Sequence, residues 1–195
     1  MLEPSNIALH KKHIRIRRKR SETDRLINFY ESLSGKFPKN DTVKEKLIEI
    51  YIIACRYDNA KTLIASSAPK AIFDLFLGDI EMLTGNSAAA FTMWESAAKK
   101  YNDNHSILFE VAERFNKHGV AEKAISLYEQ SYAKAPKPKE LDSVYARAFL
   151  FTNLGRKDEA ISMWNLIIKS LSDDYSINDG ECVDWAKREI ETLSI

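Results

Sequence analysis

Ala90-Phe-Thr-Met-Trp94, Ala124-Ile-Ser-Leu-Tyr128 and Ala160-Ile-Ser-Met-Trp164 are three copies of one pattern: alanine, an apolar residue, a hydroxyl, Leu or Met, then an aromatic. The alanines are spaced by 34 and 36 residues, and a glycine stands five residues ahead of each: Gly85, Gly119 and Gly155. Glycine suits a place where a helix ends and the chain turns back, because it accepts positive φ without a Cβ clash. An apolar stretch of helical period precedes each glycine, and a polar stretch with a break such as Asn102 or Pro136 follows the aromatic. The unit is therefore helix, glycine turn, helix, loop, recurring at a period typical of stacked repeats. The alanine lets two helices approach closely, and the aromatic one turn later fills the space between neighbouring hairpins. Each such buried ring is worth about 1.5–3 kcal/mol from apolar area. One hairpin cannot bury its own apolar face, so stability comes from stacking.

The composition agrees. The chain has 195 residues, 45% hydrophobic and 29% charged, with only 6 Gly and 5 Pro to supply the turns an all-β fold would need. No apolar stretch approaches the roughly 20 residues of a membrane-spanning helix. The N-terminal residues MLEPSNIAL, followed by KKHIRIRRKR, lack the apolar core and charge order of a secretory signal. Cys55 and Cys182 form no CxxC and read as free thiols of a reducing compartment, which places the protein in the cytoplasm. The four histidines (His10, His13, His105, His118) show no metal-binding spacing, and neither a metal nor a cofactor is expected. No nucleophile motif, phosphate-binding loop or dinucleotide fingerprint occurs. The pairs Asp173-Asp174 and Asp179-x-Glu181 read as a solvated loop before the last helix rather than as catalytic carboxylates. The chain reads as a non-enzyme.

The repeat resembles the tetratricopeptide repeat, whose pattern W-x2-L-G-x2-Y…G…A-x3-F…P fits the unit. Leu77-Gly78, Gly85 and Ala90-x3-Trp94 match in one copy. Val111, Ala112, Phe115, Gly119, Ala124, Tyr128 and Pro136 match in the next, and Ala148, Phe151, Gly155, Ala160 and Trp164 in a third. A weaker copy from Asp41 has Leu47, Tyr51, Ala60 and Ile64, with a short loop near Ser66-Ser67; Leu26, Tyr30, Leu33 and Pro38 suggest the second helix of a partial copy. The family's first-helix Trp is replaced by Asp74, Leu108 and Val144, and Arg147 stands where Leu is expected. The resemblance implies an all-α fold, a right-handed α-solenoid of helix-turn-helix hairpins over residues 21–172. Residues 173–195 provide a C-terminal capping helix, with Val183, Ala186, Ile190 and Leu193 in one stripe over 178–193 and Trp185 at its edge. Thr42-x-x-Glu45 reads as a capping box, and Asn178-Asp179 as an N-cap.

The resemblance also implies a groove lined by the first helices, holding a segment of another protein. Carried over by place, its lining is Glu45, Glu49 and Ile52; Leu75, Asp79 and Met82; Phe109, Glu113 and Asn116; and Asp142, Tyr145 and Phe149. Five carboxylates and no Lys or Arg argue against the family's carboxylate-clamping ligands and favour a basic or amphipathic segment anchored on aromatics. Each carboxylate taken alone also reads as a solvated helix face, and the aromatics as core. Residues 1–20 form a basic arm: Lys11, Lys12, Arg15, Arg17, Arg18, Lys19 and Arg20 against Glu3 give +6, leaving −5 on the rest. That arm reads as a solvated first helix or loose segment, with contact to nucleic acid, an anionic membrane or an acidic protein surface as alternatives. The expected function is a non-catalytic adaptor or scaffold. The alternatives are a regulatory or sensor module of a nucleic-acid-associated protein and a membrane-associated scaffold.

Overall fold

In a computed structural model, which describes Ile14 and residues 22–195, the described residues form ten helices and no strand. They are α1 (Thr23–Lys36), α2 (Asp41–Ile53), α3 (Tyr57–Ala65), α4 (Ala71–Leu83), α5 (Ser87–Lys100), α6 (His105–Lys117), α7 (Ala121–Lys134), α8 (Asp142–Asn153), α9 (Lys157–Tyr175) and α10 (Glu181–Ser194). The hairpins are α2–α3, α4–α5, α6–α7 and α8–α9; α1 precedes them and packs on α2, and α10 follows them and packs on α9. This is an all-α helical-repeat fold of the solenoid class. Of the basic arm only Ile14 is described: it is helical and buried in the first core, while Lys11, Lys12, Arg15, Arg17, Arg18, Lys19 and Arg20 lie outside the described residues.

One backbone device makes every hairpin turn. Gly85, Gly119 and Gly155 have φ of 90°, 75° and 71°. The residue after each donates its N–H five places back, Asn86 to Glu81 at 2.8 Å, Val120 to Phe115 at 2.9 Å and Arg156 to Phe151 at 2.9 Å. This long bond closes a Schellman-type turn and satisfies a carbonyl that the helix end would leave free. The hairpin α2–α3 turns the same way, with Arg56 donating to the Tyr51 carbonyl at 2.8 Å, yet the residue at the glycine place is Cys55, held at φ 57°.

The chain divides into two compact units, residues up to Met93 and Trp94–Ile195, the division falling within α5. In the first unit α2 packs on α1, α3 and α4, and Leu26, Ile27, Tyr30, Leu47, Ile48, Tyr51, Ala60 and Phe73 are among its core. In the second unit each helix from α6 to α10 packs on its neighbour in the chain. Ala60, Ala90, Ala124 and Ala160 are all wholly buried, as are Trp94, Tyr128 and Trp164. The expected stripe of α10 is present: Val183 and Ala186 join Val144, Ala148, Trp164 and Ile167, with Ile190, Leu193 and Trp185 packed against them.

Three local expectations are corrected. Asn40, not Thr42, caps α2: its side chain accepts from the Val43 N–H at 3.0 Å, so Thr42 and Glu45 lie inside the helix. Helix α10 starts at Glu181 after Gly180, and the Asn178 side chain accepts from the Ser172 hydroxyl at 2.7 Å instead of capping. Asp173 and Asp174 sit in the last turn of α9, which continues to Tyr175 and ends at Ser176 in the left-handed region, φ 56°.

Candidate binding face of the first helices

The aromatic that follows the small residue acts as a wedge. In the second unit Trp94 on α5 meets Phe115 of α6 (5.9 Å, edge-on) and His118 just after it (5.6 Å, stacked). Tyr128 on α7 meets Phe109 (5.6 Å), donates its hydroxyl to Glu113 and accepts from Asn116 at 3.4 Å. Trp164 on α9 meets Tyr145 (5.9 Å) and Phe149 (5.3 Å) of α8 and Trp185 (5.3 Å) of α10. Phe109 and Tyr145 each stand ten residues before the turn glycine, Glu113 and Phe149 six before. The same places on successive first helices thus flank the wedge and carry the face.

What differs is how the wedge's polar tip is treated. Burial, then the hydrogen bond to Glu113, pushes the Tyr128 hydroxyl far above its ordinary value, so it stays a neutral donor. At the equivalent place of the last hairpin Phe149 cannot accept, and the Trp164 indole N–H is buried without a hydrogen-bond partner. Phe149 remains 41% exposed. Beside it Tyr145 stacks on Trp185 at 5.8 Å with only 12° between the planes, and the Trp185 indole donates to Glu189 at 3.0 Å. Burial, then Cys182 and Asp142, raises the Tyr145 hydroxyl.

Asp142 and Phe109 come together across α6 and α8. They line a cavity of about 240 Å³ with His105, Glu140, Ser131 and Ser143. The Ser143 hydroxyl donates to Ser131 at 2.9 Å, and Ser131 donates to the His105 carbonyl at 2.8 Å, so the cavity's floor is already satisfied. His105 is 3.9 Å from Glu140.

The first unit departs from the expected bare acidity. Lys46, buried on α2, reaches Glu49 at 2.8 Å and Glu45 at 3.6 Å, so both carboxylates share a cation that their places on the helix did not reveal. A fully buried ammonium is costly unless paired, and these two neighbours supply the pairing. Asp79 and Met82 are half-buried, Ile52 packs against the first core, and Leu75 is wholly buried and unavailable to a ligand. The pairing of Lys46, and the place of Trp185 and Glu189 beside the α8 rings, were not foreseen from the sequence, which put Trp185 only at the edge of the last helix's stripe; the i, i+3 spacing of Lys46 and Glu49 was the available signal for the first.

The other displaced titrations have structural causes. Tyr30 is raised by burial and by Glu49. Tyr51, whose hydroxyl donates to Glu31 at 2.7 Å, is raised to about 12, chiefly by burial. Glu81 is lowered by hydrogen bonds from Lys61 and Asn86, and Glu159 by Arg156. Among the described residues no group of His, Cys, Asp and Glu could hold a metal, and no helix is long and apolar enough to cross a membrane.

No known family model matches the sequence, and no curated protein matches it. Solved structures do share its fold. TTC0263, a thermophilic tetratricopeptide-repeat (TPR) protein of Thermus thermophilus, is 16% identical with a TM-score of 0.58, covering 97% of this chain and 97% of that one. MamA is 16% identical with a TM-score of 0.54, covering 90% and 97%. YrrB, a TPR protein with an unusual peptide-binding site, is 15% identical with a TM-score of 0.50, covering 89% and 88%. The chain has the tetratricopeptide-repeat fold.

Proposed function

We propose that the chain is a non-catalytic adaptor of the cytoplasm that holds an extended or helical segment of a partner protein against its first helices, chiefly α6 and α8, and against α10 beside them. The observation that carries this reading is the face made by Phe109, Glu113, Tyr145 and Phe149. A ring recurs ten residues before the turn glycine, a carboxylate or a ring stands six before it, and Phe149 stays 41% exposed although it belongs to an aromatic cluster. Aromatic anchors with few rotamers give contact area at small entropic cost, and a face fixed by wedges on its rear side is preformed. The peptide-binding site named for YrrB is consistent with such a use of this fold. The exposed free thiols Cys55 and Cys182 suit a reducing compartment.

The carboxylates favour a basic or amphipathic segment, with Glu113 and Asp142 steering it in the second unit and Asp79 and the Lys46-paired Glu45 and Glu49 adding less in the first. The test is selection of peptides from a random display library on the full chain. Enriched sequences that lose binding to Phe109→Ala and Phe149→Ser variants, with helicity unchanged, are expected. Failure of the full chain to enrich any sequence, or enrichment indifferent to both variants, would overturn the reading.

A further inference from the structure

The end of the second unit carries a chemistry more specific than a general binding face. Tyr145 and Phe149 on α8 and Trp185 on α10 form one shelf, with Trp185 5.8 Å from Tyr145 and 5.7 Å from Phe149, and the buried Trp164 beneath. Helix α10 therefore contributes a ring to this shelf besides packing Val183 and Ala186 into the core. Carboxylates border the shelf: Glu189 lies one turn beyond Trp185 and is held by its indole, and Asp142 lies one turn before Tyr145. No described ion pair occupies either carboxylate, and the cation on α8, Arg147, is turned onto the Phe151 ring at 5.9 Å. Phe149 is exposed and Trp185 half-buried; a ring that solvent reaches beside an unpaired carboxylate attracts a cation, and a planar cation gains stacking as well as charge.

We propose that this shelf seats an arginine side chain of the partner segment, its guanidinium stacked on the Phe149 and Trp185 rings, with Glu189 as counter-charge and Asp142 adding to the negative field. Arginine fits better than lysine because its flat, weakly hydrated group can lie on a ring while its edge donates to a carboxylate. An aliphatic or aromatic anchor would bury the same rings but leave the two carboxylates without purpose. The inference rests on the adaptor reading and names the residue its partner presents at one place.

The three tryptophans make the test direct, since Trp94 lies away from the shelf, against Phe115 and His118. The full chain, labelled with ¹⁵N at its indoles, is titrated with the blocked tripeptide acetyl-Gly-Arg-Gly-amide, its lysine counterpart and its uncharged citrulline counterpart. The expected result is a saturable shift of the Trp185 indole resonance with the arginine probe, a weaker one with lysine, none with citrulline, and an unmoved Trp94 signal. Phe149→Ala should weaken the arginine probe about tenfold, and the near-isosteric Glu189→Gln about threefold, while the Trp94 signal reports that the fold is intact. An arginine probe that moves no indole, or a citrulline probe that moves Trp185 equally, would overturn the proposal. Display selection separates the two readings. Enriched peptides without arginine, together with a silent arginine probe, leave the adaptor standing and remove the arginine seat. A responsive probe with no enriched peptide supports the seat and removes the adaptor.

Discussion

Cys55 is the residue that pays for a position chosen by the repeat. At three of four hairpin turns the left-handed residue is glycine, but here a side chain with a Cβ is held at φ 57°. The left-handed region costs an ordinary L-residue about 1–2 kcal/mol, and glycine offsets part of that advantage through its greater freedom when unfolded. Cys55→Gly is therefore expected to stabilise the chain by about 0.5–1 kcal/mol in urea unfolding under reducing conditions. A loss of stability would mean that the thiol, beside the Tyr57 hydroxyl, contributes more than the backbone loses. The same comparison explains why that hairpin was the weakest to read in the sequence. Its turn lacked the glycine, and its second helix α3 is only 9 residues long with Ile64 half-buried at the wedge place, where the other copies have an aromatic.

At the scale of the helix, what starts an element is less visible than what packs it. Asn40 and Asn104 each cap a first helix by accepting from the N–H three residues on, at 3.0 and 3.2 Å. Asn40→Ala should cost about 1 kcal/mol in unfolding free energy, and Thr42→Ala distinctly less; the reverse order would restore the Thr42–Glu45 box as the cap. The helices themselves were legible, because alanine, wedge and turn repeat in register. Their caps were not, because Asn, Thr and Asp crowd the same few positions and only geometry selects among them. Equivalent places also reveal an ion pair that no local motif announces: Arg56 reaches Asp24 at 2.8 Å, and Arg156 reaches Glu122 at 2.7 Å. Each joins the residue after a hairpin turn to the first turn of the preceding second helix. Exposed pairs of this kind add little stability, but they favour one register of stacking over another. The candidate face was legible in part. Phe109, Glu113, Tyr145 and Phe149 do flank wedges, whereas Leu75 turned inward and Lys46 entered from an adjacent place on α2 to pair two of the acids. A one-dimensional spacing assigns a face, and the neighbour that fills or neutralises it comes only from packing.

For the molecule as a whole, its buried and half-buried tyrosines weaken the fold at alkaline pH. Tyr30, Tyr51, Tyr128 and Tyr145 all have raised values in the folded chain, against about 10 unfolded. Above that unfolded value the unfolded chain has lost protons that the folded one keeps, so the stability these groups contribute, complete below about pH 10, falls as pH rises through their folded values. Tyrosinate absorbance should lag behind that of a model tyrosine and then rise together with loss of helix; Tyr128→Phe should flatten the decline, and early titration without unfolding would contradict the burial. The claim on which the functional account turns is that partners are held by the first helices and not elsewhere on the surface. Within the second unit there is a competitor: a cavity of about 510 Å³ lined by Lys99, Phe115, Ser126 and Leu127, among others, largely on the second helices α5 and α7. Amide chemical-shift mapping of the full chain with a display-selected peptide decides between them. The account predicts perturbations centred on Phe109, Glu113, Tyr145, Phe149 and Trp185; perturbations centred instead on Lys99, Ser126 and Leu127 would contradict it.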